Sequence, residues 1–169
     1  MLSFRKATPN YLDLLMHWDE QPHVVASDPN DDWDWANELA REPEWRKLLI
    51  AEWSGTAIGF VQIIDPEREE THYWGEVGPD KRAIDIWIGE AGMLGRGYGT
   101  LMMKHALGLC FADRSVEEVV IDPLESNAGA IRFYERLGFR FVETRRFGAD
   151  LCGVYAMSRA EWEAVNKER

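Results

Sequence analysis

The residue types that could do chemistry concentrate between positions 85 and 139. Asp85 stands in an alternating run, Arg82 to Gly89, where Ile84, Ile86 and Ile88 share one face and Asp85 and Trp87 share the other. A carboxylate therefore sits inside a strand, turned away from the isoleucine face. Next comes Gly92-Met93-Leu94-Gly95-Arg96-Gly97-Tyr98-Gly99, followed at once by a helical apolar pattern reaching Ala112. Closely spaced glycines let backbone N–H groups approach an anion, and a following helix N-terminus adds partial positive charge. The same glycines are equally those of a tight turn. Gly95, Gly97 and Gly99 run GxGxG, which excludes both the GxxxxGK[ST] nucleotide loop and the GxGxxG dinucleotide fingerprint. A second carboxylate, Asp122, ends an apolar run before Pro123. Carboxylates can hold ammonium ions by charge-assisted hydrogen bonds; by position alone, Asp85 is equally a solvent-facing strand residue and Asp122 a turn residue.

Other reactive types point nowhere comparable. His17, His23, His72 and His105 have no metal-ligand spacing, and His105 is expected on the buried face of the helix that follows the glycines. Cys110 and Cys152 form no CxxC, so neither a metal nor a disulfide framework is expected, and Cys110 reads as a small core hydrophobe. Nineteen Lys plus Arg against thirty Asp plus Glu give a net charge of −11, a field that disfavours nucleic acid and anionic membranes and draws in cations. Met1 to Pro9 shows no basic start with an apolar run, and no 18-residue apolar stretch occurs, so a cytoplasmic protein is expected.

These groups need a scaffold, and 169 residues suit one domain at about 100 to 200 residues each. With 46% hydrophobic against 29% charged residues the chain can bury a core, which excludes wholesale disorder. Leu2 to Thr8 reads as a strand and Tyr11 to Trp18 as a helix ended by Pro22. The acidic stretch Ser27 to Asp34 reads as a loop, running into a second helix that ends near Glu44. Leu48 to Trp53 and Ala57 to Ile64 read as a hairpin around Ser54-Gly55-Thr56. Asp65 to Lys81 is a long loop with His72, Tyr73 and Trp74 in its middle. The helix to Ala112 is apolar nearly all round and is expected to be substantially covered. Val116 to Asp122 then reads as a strand and Asn127 to Leu137 as a helix closed by Gly138. Phe139 to Phe147 and Asp150 to Met157 form a second hairpin, and Ser158 with Glu161 makes a capping box for a last helix. The whole is one α/β domain, 1–169.

In this order of elements, Leu94 to Gly99 resembles the pyrophosphate loop (Gln/Arg)xxGx(Gly/Ala) of the GNAT superfamily of N-acetyltransferases. The passage Asn127 to Phe139 resembles that family's second signature, NxxAxxxYExxGF, at Asn127, Ala130, Tyr134, Glu135, Gly138 and Phe139. The fold it implies is the GNAT-type acyl-CoA N-acyltransferase fold, a mixed central sheet flanked by helices. Leu94 departs from the family's Gln or Arg, which removes a side-chain donor and leaves the backbone cradle. Within the superfamily the chain is most similar to aminoglycoside 6'-N-acetyltransferases. That similarity rests on Ile84-Asp85, Leu94 to Thr100, Asp122-Pro123 before Ser126-Asn127, and Tyr73-Trp74-Gly75-Glu76.

The resemblance implies acetyl-CoA as co-substrate, held by Ile86, Trp87, Ile88, Leu94, Gly95, Arg96, Gly97, Tyr98, Gly99, Thr100, Asn127 and Ala130. It implies a small cationic amine as acceptor, bound by Tyr73, Trp74, Asp85, Asp122 and Glu125, with Asp85 and Tyr134 as the catalytic pair and no metal. By spacing alone Tyr134 is a packing residue of its helix; the resemblance makes it the general acid. Trp33 and Trp35 either wall the acceptor site or pack in the core. A siderophore amine, a polyamine or a protein N-terminus are the alternative acceptors, and an acyl-CoA-binding module without catalysis is the rival class. Nucleic acid and membrane are not expected partners, and the chain is read as a monomer or homodimer.

Overall fold

The computed structural model describes residues 1–167. Among the described residues, the strands β1 (Leu2–Lys6), β2 (Arg46–Trp53), β3 (Thr56–Ile64), β4 (Lys81–Ile88), β5 (Glu118–Ile121), β6 (Arg140–Phe147) and β7 (Asp150–Ser158) lie in the order β1-β2-β3-β4-β5-β7-β6, a mixed sheet with flanking helices. The chain groups into two compact units, one of Met1–Ile64 with Asp85–Ala106, the other of Asp65–Ile84 with the described residues from Leu107 onward.

In the first unit, β1 (Leu2–Lys6), β2 (Arg46–Trp53) and β3 (Thr56–Ile64) pair antiparallel. The β2–β3 hairpin is set by its turn: Ser54 at φ 49° and Gly55 at φ 86° supply two successive left-handed residues, the demand of a two-residue connection that follows strand twist. Helices α1 (Leu12–Asp19) and α3 (Trp35–Ala40) bring Leu15, Trp18, Trp35 and Leu39 onto Leu48, Ile50 and Phe60. Strand β4 (Lys81–Ile88) ends in this unit and leads through the glycine loop into α4 (Tyr98–Ala112). Gly59 of β3 lets that helix approach, since a Cβ there would lie 2.6 Å from both the Met102 Cε and the Trp87 carbonyl oxygen.

In the second unit the start of β4 pairs parallel with β5 (Glu118–Ile121), from Lys81↔Glu118 to Ala83↔Val120. Strands β7 (Asp150–Ser158) and β6 (Arg140–Phe147) continue antiparallel. Helix α5 (Ala128–Leu137) starts at Asn127, whose Oδ1 accepts the Ala130 N–H at 3.1 Å, and stops at Gly138, left-handed at φ 108°. Helix α6 (Arg159–Lys167) opens on the expected capping box: the Glu161 N–H donates to Ser158 Oγ and the Ser158 N–H to Glu161 Oε1, each at 3.0 Å. Among the described residues no helix is long and apolar enough to cross a membrane.

Several expectations are corrected. Pro22 does more than end α1: it is the first residue of α2 (Pro22–Ser27), a position where its missing N–H costs nothing. Helix α3 stops at Ala40 and not near Glu44, because Arg41 is already extended and Pro43 disfavours helical backbone just before it. Strand β5 spans Glu118–Ile121 and is shorter than Val116 to Asp122. His105 is exposed, its ring 4.4 Å from that of Phe4, and α4 is covered on one side only. Met102, Met103, Ala106 and Cys110 are buried, whereas Leu101, His105 and Leu109, four residues apart in turn, form the outer stripe. A helix apolar all round does not reveal which stripe is covered.

Gly59→Ala is expected to lose about 1–3 kcal/mol of stability, because one of the two clashing atoms is backbone and cannot rotate away. Urea denaturation of the two proteins checks this; equal midpoints would contradict it.

Candidate active site

The first unit carries the loop and one set of carboxylates. Gly95 and Gly97 adopt φ 69° and 84°, and no atom lies within 4 Å of where their Cβ atoms would be. The loop thus presents bare backbone at the N-terminus of a 15-residue helix, the arrangement that suits a phosphate-bearing ligand. Leu94, Gly95, Arg96 and Gly97 are exposed, while Tyr98, Gly99 and Thr100 form the partly buried first turn. Arg96 folds back on the loop, its Nη1 donating to the Gly92 carbonyl at 3.4 Å, and Tyr98 packs 5.3 Å from the Trp53 ring. Ile86, Trp87 and Ile88 lie beyond the residues of β4 that pair with β5, and the Ile88 carbonyl accepts from His23 Nε2 at 2.7 Å.

Asp85 is partly buried and accepts a 2.7 Å hydrogen bond from Gln62 Nε2. Burial pushes its pKa above the ordinary aspartate value, and the bond from Gln62 only partly opposes that. Asp19 is likewise raised by burial, although Trp35 Nε1 donates to it at 2.6 Å. Asp31, an exposed residue overall, is pushed up to about 7, first by burial of its carboxyl and then by the charges of Asp28 and Asp85. Trp33 stacks on Trp35 at 4.4 Å, Trp35 meets Phe60 edge-on at 5.3 Å, and Phe60 lies 4.4 Å from Trp87. Trp35, at 4% exposure, is therefore a core residue, and Trp33 is partly buried against it.

The second unit carries the remaining residues. The Tyr73 hydroxyl donates to Asp122 Oδ2, and its ring stacks on Phe147 at 4.5 Å. Trp74 is buried, edge-on to Phe147 at 5.2 Å, and its carbonyl accepts from Arg145 at 3.4 Å. Glu125 is exposed, its backbone N–H bonded to the Leu151 carbonyl at 2.9 Å. Tyr134 is buried beside Phe133 and Phe139, at 5.2 and 5.8 Å between ring centres. Asn127 and Ala130 meet each other in the α5 cap. So Tyr73 and Asp122 are brought together, as are Asn127 and Ala130.

Sequence reasoning missed two residues here. Gln62 is the partner of Asp85, and nothing in an apolar strand marks it. Glu69, buried at 7% exposure, accepts from the Thr71 N–H at 2.9 Å and the Tyr73 N–H at 3.0 Å. Its place two and four residues before Thr71 and Tyr73 was the only available signal, inside a charged loop whose aromatic residues stand out instead.

The family described as "Acetyltransferase (GNAT) domain" matches residues 9–147. The chain belongs to the GNAT acetyltransferase family. Among relatives of this GNAT chain, the aminoglycoside N(6')-acetyltransferase type 1 of Klebsiella pneumoniae is 29% identical over 154 residues, 82% of this chain and 73% of that one. The kanamycin resistance protein of Rhizobium radiobacter is 39% identical over 72 residues, covering 42% and 67%. Among solved structures, aminoglycoside acetyltransferase AAC(6')-Ib in complex with coenzyme A and kanamycin superposes with a TM-score of 0.88 at 27% identity, covering 98% of this chain and 99% of that one.

The raised pKa of Asp31 has a consequence for stability. A carboxyl harder to ionise when folded than when unfolded leaves stability intact below its unfolded value, near 3.8, and removes it as pH climbs through about 7. Asp31→Asn is therefore expected to be more stable than the parent at pH 8, with the gap closing toward pH 4. Thermal unfolding across that range checks it, and a gap independent of pH would contradict it.

Proposed function

We propose that this GNAT enzyme moves the acetyl group of acetyl-CoA to the 6'-amine of aminoglycoside antibiotics, with residues 1–169 acting as one catalytic domain. The observation that carries the reading is the likeness, over nearly the whole of both chains, to an enzyme described in complex with coenzyme A and kanamycin. We extend it to a cytoplasmic enzyme, monomer or homodimer, that engages neither nucleic acid nor membrane.

In this reading the Gly95 to Gly99 backbone and the α4 N-terminus receive the pyrophosphate of the co-substrate, with Leu94, Arg96 and Thr100 beside it. Ile86, Trp87 and Ile88 offer backbone groups along the rest of that molecule, and Asn127 and Ala130 contribute from the α5 end. Asp85, Asp122 and Glu125 hold the ammonium groups of the amine, with Tyr73 against its sugar faces and Trp74 backing the Tyr73 ring edge-on. The reacting nitrogen loses its proton, attacks the thioester carbonyl to form the N–C bond, and the C–S bond breaks. Asp85 orients that nitrogen. An ordinary aspartate is a poor acceptor for an ammonium proton, so the upward push that burial gives Asp85 supports a part in relaying it, directly or through water. The Tyr134 hydroxyl protonates the departing thiolate. This reading assigns no step to a metal.

Thiol release from acetyl-CoA, measured with aminoglycosides that have or lack a 6'-amine beside polyamines and amino acids, tests the proposal. Turnover confined to drugs with that amine, and reduced about 100-fold or more in Tyr134→Phe, is the expected result. Turnover of another amine with silence for every drug would keep the acetyltransferase and discard the antibiotic. Silence for every amine would favour the acyl-CoA-binding module.

A further inference from the structure

Within the loop from Asp65 to Asp80, one buried side chain organises the turn that carries Tyr73. Glu69 is a carboxylate at 7% exposure that faces local donors rather than a cation. Its Oε1 accepts from the Thr71 N–H at 2.9 Å and the Thr71 hydroxyl at 2.7 Å. Its Oε2 accepts from the same hydroxyl at 2.9 Å and from the Tyr73 N–H at 3.0 Å. Both oxygens are thus spent on a turn two to four residues downstream. Between those donors His72 is left-handed at φ 53°, a conformation that costs a residue with a side chain and persists only where its surroundings impose it. The turn ends in the Gly75 N–H donating to the His72 carbonyl at 2.8 Å. What it presents is Tyr73, stacked on Phe147, whose hydroxyl donates to Asp122.

We propose that Glu69 is a positioning residue for substrate recognition: by holding the turn that carries Tyr73, it fixes the hydroxyl that orients the Asp122 carboxylate toward an ammonium group of the acceptor. The inference rests on the reading of Asp122 as an ammonium-binding residue. Glu69 touches no substrate in this account; it acts through Tyr73. The order follows from the chemistry of each link. A buried carboxylate that accepts from three donors, one of them a hydroxyl shared between its two oxygens, is a strong local organiser, a phenol on a stacked ring has little freedom left, and a carboxylate bonded by that phenol has a preferred orientation.

The test is a double-mutant cycle on Glu69 and Tyr73 in the full chain, with acetyl-CoA and the amine the enzyme turns over best. Glu69→Ala is expected to raise KM for the amine about tenfold or more, with kcat and the KM for acetyl-CoA held within about twofold. Glu69→Gln keeps the size and one acceptor oxygen, so its KM should fall between those of the parent and Glu69→Ala. Tyr73→Phe should raise the same KM, and the double variant should be no worse than the worse single one, because both changes cut the same link. Effects that multiply, or an unchanged amine KM in Glu69→Ala, would overturn the proposal. Amide hydrogen exchange supplies an arm free of any substrate: the Tyr73 and Thr71 amides should lose protection in Glu69→Ala and part of it in Glu69→Gln. If no amine is acetylated, the functional reading falls. Unchanged exchange at Tyr73 would overturn the role of Glu69 whatever the substrate.

Discussion

A carboxylate placed where water cannot fully reach it must be stabilised by something else, and for Asp85 the protein supplies one hydrogen bond, from Gln62. That is too little to bring its pKa back down to the ordinary aspartate value. Asp19 and Asp31 share the condition, and Asp31 is driven further by its acidic neighbours. The fold therefore tolerates charges it would be more stable without, in a chain whose net charge is already −11. Under the proposed function, a polycationic acceptor would offset this cost by supplying the missing cations, so that affinity for it and the cost of these carboxylates would be two sides of one arrangement.

The groups proposed for function are delivered by two different means. Asp85 stands on a strand, its direction fixed by the two-residue alternation of β4 and by the hydrogen bond from β3. Tyr73 stands in a segment without strand or helix, and backbone N–H groups donating to the Glu69 carboxylate do the work that a ladder does elsewhere. The glycine loop lies between these cases: its left-handed residues are free of neighbours, and its definition comes from the helix it opens. The sheet holds the carboxylate proposed for the chemistry, and a local turn holds the tyrosine proposed for acceptor recognition.

What could be read from sequence follows the range of the forces involved. The β2–β3 hairpin, the Asn127 and Gly138 ends of α5 and the Ser158–Glu161 box are set by residues within a few positions of each other, so their signals are local and legible. Asp85 in its strand and the glycine loop were legible for the same reason. The exposed stripe of Leu101, His105 and Leu109 was not, because the side of α4 that is buried is decided by what packs on it. The end of α3 at Ala40 was missed although Pro43 announces it. Gln62 became visible only when β3 and β4 brought it to Asp85, and Glu69 only when its acceptors were seen turned inward.

The central claim, that Asp85 is retained for a cation at the expense of stability, is tested most directly by measuring two properties of Asp85→Asn: the free energy of unfolding at pH 8 and the affinity for kanamycin. The account predicts a protein more stable than the parent at that pH, with weaker binding of the drug. A variant that is less stable, or that binds kanamycin as the parent does, would contradict it.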